Sequence, residues 1–287
     1  MLKEEIKKKI KLIQIHTRKV LSGNLIGDYT TAIKGTGTEF DQIREYQQGD
    51  DVRFIDWKSS ARSGKLLVKQ YFEERDRAII IVVDASASLF FSSNSEFKYE
   101  ISSQIASVLA IAGYYSKDKV GLVLFNDQVI KFIPPKLGYS HSYHIMETLF
   151  GVEQNNNSTD IKIALEFVSK NIKKKSIVFL ISDFITDKDF QKSLKIVSNN
   201  FDLIAIRCID NLEKKLPESV FLNLKDIESG KESTVNMNHY SNLILAKRVD
   251  DQNKLFKKNK IDFIDINVRN KNFVNDIVLF FKNRMVF

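Results

Sequence analysis

Residues 78–83 read AIIIVV, and the five that follow, Asp84-Ala85-Ser86-Ala87-Ser88, end that run with one carboxylate and two hydroxyls. Unbroken β-branched residues without alternation mark a strand buried on both faces, as in a sheet covered by helices front and back. A second run, SIVFLI at 176–181, stops at Ser182 and Asp183. Further strands are expected at 120–125, 129–133, 203–208 and 261–266, the one at 129–133 closed by Pro134 and Pro135. Helical patterns at about 95–115, 141–150, 160–171, 187–200, 242–259 and 272–281 separate and follow them. Strands alternating with helices of such length form crossover units. The expected class is α/β, doubly wound, with a mostly parallel sheet.

In such sheets ligands lie outside the carboxyl ends of the strands, where the chain order reverses. Asp84, Ser86 and Ser88, spaced by alanines, can turn three oxygens to one side of a tight loop, and Asp183 ends the second buried strand. Between them, Thr159 in Asn157-Ser158-Thr159-Asp160 opens the helical pattern IKIALEFV. Oxygen donors of this kind suit a hard dication, Mg²⁺ or Mn²⁺. The plainer alternative is that small polar residues finish strands and cap helices, and capping alone accounts for Thr159. It does not account for two carboxylates at one end of a sheet, which repel unless a cation or hydrogen-bond donors lie between them.

Upstream, residues 1–20 form an amphipathic helical pattern, with Leu2, Ile6, Ile10, Ile13 and Val20 on one face and lysines between. Residues 28–77 are polar and dense in paired charges, with strands expected at 52–57 and 66–72. Arg44, Arg53 and Arg62 lie among Glu39, Asp50, Asp51, Asp56 and Glu74. They read either as salt bridges fixing an irregular module with Trp57 as its packing anchor, or as a partner-binding surface of Arg44, Asp50, Arg53, Asp56, Trp57 and Arg62. The chain thus divides into residues 1–77, a helix and charged module, and residues 78–287, the α/β domain.

The 287 residues carry a formal charge of +8. Residues 1–19 and 254–287 each hold +5, which leaves the middle at −2. Lysines on two helical ends are usually a solvated face, so nucleic acid is not expected as a partner. A single cysteine, Cys208, excludes an internal disulfide or a Cys-rich metal module and favours a cytoplasmic setting. Apolar runs are too short to span a bilayer. Gly35-Thr36-Gly37 is followed by Phe40 where a dinucleotide fingerprint needs glycine, and Gly64-Lys65 lacks the rest of a phosphate loop, so no ATP site is expected. His141 and His144 share a helical face without acidic or thiol companions, and read as a surface pair.

Asp84, Ser86 and Ser88, then Thr159, then Asp183 in FLISDF resemble, in order and spacing, the metal-ion-dependent adhesion site of von Willebrand factor A domains. The resemblance implies that Ser86, Ser88 and Thr159 contact the metal directly while Asp84 and Asp183 act partly through water. Leu89 stands where relatives often carry methionine, and Asn155, Asn156 and Asn157 replace glycines before the threonine. The segment 35–76, with Glu39, Phe40, Arg44, Tyr46, Gly49, Asp50, Arg53, Asp56, Trp57, Ala61, Arg62 and Glu74, resembles the signature of bacterial domain-of-unknown-function family 58. Asp210, Glu213, Leu216, Pro217 and residues 226–230 are similar to that family's last segment.

Membership implies a cytosolic protein working with a MoxR-type AAA+ ATPase in maturation or complex assembly. The expected function is a non-enzymatic, metal-dependent interaction module that captures an acidic side chain of a protein ligand. The alternative is a metal-dependent hydrolase using the same ion. No histidine or cysteine adjoins the metal loops in sequence to serve as its base.

Overall fold

A computed structural model describes residues 3–21, 38–48, 50–73, 78–90, 97–154, 157–173, 176–210, 220–225, 232–237, 239–270 and 272–284. In chain order the elements are α1 (Lys3–Leu21), β1 (Thr38–Glu45), α2 (Trp57–Ser63), β2 (Leu67–Glu73), β3 (Ala78–Asp84), α3 (Lys98–Tyr115), β4 (Lys119–Phe125), β5 (Val129–Lys136) and α4 (Tyr139–Phe150). They continue with α5 (Ile161–Asn171), β6 (Ile177–Ser182), α6 (Gln191–Asn200), β7 (Asp202–Ile209), β8 (Val220–Lys225), β9 (Glu232–Met237), α7 (His239–Lys258), β10 (Asp262–Asn267) and α8 (Phe273–Arg284).

Six strands form one sheet in the order β10-β7-β6-β3-β4-β5, parallel except for the antiparallel edge strand β5. This is the doubly wound α/β class expected from the alternating pattern. The run at 78–83 is the central strand, and its two side-chain sets go to opposite layers. Ile79, Ile81 and Val83 join a core that includes residues of α3, α4 and α8. Ile80 and Val82 join another that includes residues of α5, α6 and α7. Burial on both faces is why the strand shows no polar alternation.

Strand β5 does not stop at Pro134 as expected but runs through both prolines to Lys136. An edge strand has one side with no neighbour to bond, so proline is tolerated there. A register shift between Val120 and Leu122 takes up the irregularity. Gly121 lies at that point, where a Cβ would come within 3.0 Å of the Ile133 carbonyl oxygen.

The charged N-terminal segment departs further from expectation. Residues 52–57 are not a strand. Val52–Phe54 is a turn of 3₁₀ helix, and β2 pairs antiparallel with β1. Asp56 caps α2 by accepting from the amides of Lys58 and Ser59, and Gly64 ends that helix at φ 71°. Trp57 is not the packing anchor. It is 68% exposed, while Ile55, Ser60 and Val68 are buried among the described residues of this segment. The reason is register: α2 faces β2 through Ser60, whose hydroxyl accepts from the Leu67 amide at 2.8 Å, and this turns Trp57 outward.

Helix α1 lies on α3 and α4. Ile10 is buried with Ile111, Met146 and Phe150, and Lys9 pairs with Glu100. Lys7, Lys8 and Lys11 face solvent. Strands β8 and β9 form a separate antiparallel pair.

Candidate metal centre

From β3 the chain leaves toward β4, whereas from β6 it leaves toward β7, so the order reverses between two adjacent strands. Val83 pairs with Ile181, which sets Asp84 beside Ser182. There Ser182 Oγ donates to Asp84 Oδ2 at 2.6 Å, and the Ser86 amide donates to Asp84 Oδ1 at 2.9 Å. Both carboxylate oxygens are thus held by the protein, and the side chain is fully buried. Burial pushes the Asp84 carboxyl up to about 7, and the charge of Asp183 adds to the shift against the Ser182 and Ser86 hydrogen bonds.

The three hydroxyls converge. Thr159 Oγ1 donates to Ser86 Oγ at 2.6 Å, and Ser86 Oγ lies 3.2 Å from Ser88 Oγ. Ser86 and Thr159 are buried, while Ser88 is half-buried and opens the group toward solvent. Helix α5 is capped by Asp160, whose carboxylate accepts from the Ile163 amide, so capping is not what Thr159 does. The loops are also bonded to one another: the Ala87 amide to the Asn157 carbonyl at 3.0 Å, and Thr186 Oγ1 to the Thr159 carbonyl at 3.0 Å. Asp160→Ala is expected to cost about 1 kcal/mol of stability by loss of the cap. Urea unfolding of the full chain checks this, and an unchanged midpoint would return the cap to Thr159.

Asp183 is held differently. Its Oδ1 accepts from the Ile185 amide at 3.0 Å, and its Oδ2 accepts from Lys98 Nζ at 2.7 Å. Both side chains of this ion pair are 1% exposed. The next residue, Phe184, has φ 56°, an uncommon left-handed conformation for a bulky side chain. It is kept there by three groups. Its amide donates to Ser182 Oγ at 2.9 Å, its ring packs edge-on against Phe256, and its carbonyl accepts from Gln252 Nε2 at 2.8 Å. Strain of this sort persists only where neighbours over-determine it, and it recurs at functional loops.

The five residues expected at the metal therefore meet at one end of the sheet. Lys98 and Ser182 were not anticipated in that role. Lys98 had a readable signal: it falls on the face of α3 that carries Ile101, Ser102, Ile105 and Leu109, and a lysine on an apolar face needs an acid partner. Among the described residues no group of three or more His, Cys, Asp or Glu gathers as a metal cluster. The donor set here is led by hydroxyls instead.

The candidate partner-binding residues lie apart on the N-terminal segment. Arg44 grips Asp50 with two bonds of 2.7 Å, which holds the Asp50 carboxyl below its usual range. Arg53 forks onto Asp51, and that hydrogen bonding brings Asp51 down to about 2. Arg62 is exposed. His141 bonds through Nε2 to the Val120 carbonyl at 2.8 Å while His144 faces solvent. Cys208 is buried, its Sγ 3.2 Å from Ser102 Oγ. Glu74, Gly49, Asn155, Asn156, residues 35–37, Glu213, Leu216, Pro217 and residues 226–230, on which parts of the resemblance rest, lie outside the described residues.

A family model described as protein of unknown function DUF58 matches residues 42–252. The chain belongs to the DUF58 family. The uncharacterized protein Mb1516 of Mycobacterium bovis is 26% identical over 223 residues, covering 77% of this DUF58 chain and 70% of its own length. Among solved structures, an aerotolerance-related membrane protein from Bacteroides fragilis aligns with a TM-score of 0.47 and 13% identity, over 73% of this chain and 98% of that one. A von Willebrand factor type A protein from Catenulispora acidiphila aligns with a TM-score of 0.43 and 10% identity, over 76% of this chain and 44% of that one. The DUF58 sheet is mostly parallel and flanked by helices, with three loops gathered at the carboxyl ends of its strands.

The expectation of a cytoplasmic address is corrected by the neighbour described as a membrane protein. A lone cysteine and short apolar runs bear on redox chemistry and on spans within this chain, and do not fix a compartment. No described helix is long and apolar enough to cross a membrane.

Proposed function

We propose that this DUF58 chain is a non-enzymatic protein-interaction module whose contact runs through a dication, Mg²⁺ or Mn²⁺, at the carboxyl ends of β3 and β6. The observation that carries the reading is the grouping of three hydroxyls at the topological switch point, with Thr159 Oγ1 2.6 Å and Ser88 Oγ 3.2 Å from Ser86 Oγ. Neutral hydroxyls are the fitting direct donors, because the oxygens of Asp84 and Asp183 are already engaged by Ser182, Ser86, Ile185 and Lys98. In this reading Ser86, Ser88 and Thr159 hold the ion, and Asp84 and Asp183 supply charge from behind. A dication with few carboxylates bound directly stays electrophilic, and an incoming Asp or Glu of a protein ligand gains a strong charge-assisted contact. The half-buried Ser88 marks the side from which that ligand arrives.

The family resemblance makes a MoxR-type AAA+ ATPase the partner to test. The full chain, immobilised, is expected to retain such an ATPase in Mg²⁺ and to release it on chelation. Ser86→Ala and Asp84→Asn are each expected to reduce capture at least about tenfold, since each alters the donor set or its charge. Retention that is equal in chelator, or equal in both variants, would overturn the metal-dependent contact.

A further inference from the structure

Lys98 runs against the chemistry of a simple dication pocket. A dication is attracted by carboxylates and repelled by an ammonium, yet here an ammonium is built in at 2.7 Å from Asp183, with both side chains 1% exposed. The pair is reinforced from the backbone: the Ile185 amide occupies the other Asp183 oxygen, and the Lys98 carbonyl accepts from Ser102 Oγ at 3.0 Å in the first turn of α3. Asp84 and Asp183 stand at the ends of the adjacent strands β3 and β6, and Ser182, next to Asp183 in the chain, bonds Asp84 directly. A buried carboxylate needs a partner whether or not an ion is bound, and for Asp183 that partner is the Lys98 ammonium.

We propose that Lys98 is the resident counter-ion of this site. It balances the carboxylate pair when no dication is present, and it lowers the affinity for a dication by holding Asp183 and by direct repulsion. The inference rests on the reading of the site as a dication site, and it adds a consequence that the hydroxyl set alone does not have. The protein folds without metal and takes the ion up weakly and reversibly, as a contact made and broken on demand requires. Lys98 is thus a positioning residue that sets the ion's affinity without touching it.

The test is calorimetric titration of the full chain with MgCl₂, for wild type, Lys98→Gln, Lys98→Met and Lys98→Arg, with thermal midpoints recorded in chelator and in MgCl₂. Removing a unit positive charge next to the ion is expected to tighten Mg²⁺ binding at least about tenfold in Lys98→Gln and Lys98→Met. The same variants are expected to lose thermal stability in chelator and regain it in MgCl₂, while Lys98→Arg stays near wild type. Tight binding in Lys98→Gln beside no binding in wild type would support the resident ion and sink the metal-dependent contact. Equal or weaker binding in the neutral variants overturns the inference and leaves the dication reading standing. Absence of binding in every chain overturns both. Should the neutral variants unfold in chelator, refolding by MgCl₂ followed by circular dichroism supports the proposal, and failure of MgCl₂ to refold them overturns it.

Discussion

Replacing Arg207 with alanine is expected to lower the unfolding free energy of the full chain by about 3 kcal/mol, the scale of a buried ion pair broken on one side. Arg207 lies on β7 directly across from Asp265 on β10, and its side chain is 2% exposed. Its guanidinium gives two bonds to Asp265, at 2.8 and 2.9 Å, one to Gln252 and one to Asn253. It also lies 5.9 Å from the centre of the Phe263 ring. Truncation removes these donors together and opens a void beneath α7. Asp265 is partly exposed and can recover some hydration, which places the loss at the lower end of the range for buried pairs. The effect reaches the candidate site, because Gln252 is also the residue that bonds the Phe184 carbonyl in the left-handed turn after Asp183. Urea unfolding measures the first part. A loss below about 1 kcal/mol would mean that Gln252, Asn253 and Asp265 repack without the guanidinium.

How much of this was legible in the sequence depends on what each residue answers to. The buried strands were readable because residues 78–83 and 176–181 meet helices on both faces, and that requirement shows in every side chain. The candidate loops were readable because short polar residues follow those strands at once, and the strand register brings them together. Thr159 was ambiguous in sequence, since a hydroxyl before a helix satisfies either role. The bonds that each makes separate it from the true cap, Asp160, since Thr159 Oγ1 turns to Ser86 and Asp160 accepts from the helix.

The N-terminal segment was misread for a physical reason. In a seven-residue helix against a two-stranded ribbon, a small serine bonded to backbone sets the contact, and the largest aromatic need not be inside. Prolines in β5 misled because proline marks a strand's end in a sheet interior but not at its edge. The partners of Lys98 and Arg207 were hidden by distance, lying 85 and 58 residues away in sequence.

The ion pair of Lys98 and Asp183 supplies the second large effect, and it is separable from any bound ion if measured in chelator. Asp183→Ala is expected to cost about 3–5 kcal/mol, because it takes the carboxylate away from an ammonium that water does not reach. Lys98→Met is expected to cost a comparable amount for the converse reason, as the buried Asp183 carboxylate then loses its ammonium. The double variant, Lys98→Met with Asp183→Leu, removes both charges and fills the space with apolar groups. It is expected to be more stable than either single variant, since an apolar pair avoids the desolvation that the ions incur, and Asp84 loses the neighbour that repels it. With Asp183→Leu measured as the matching single variant, the double-mutant cycle from urea unfolding then gives a coupling above about 3 kcal/mol, because the double costs less than either single. A double variant whose loss equals the sum of the single losses would show that Lys98 and Asp183 stabilise the fold through separate partners. In that case the ammonium is not balancing the carboxylate pair. A large coupling instead shows that the Lys98 ammonium and the Asp183 carboxylate act as one pair in the metal-free site, the state from which any dication must bind.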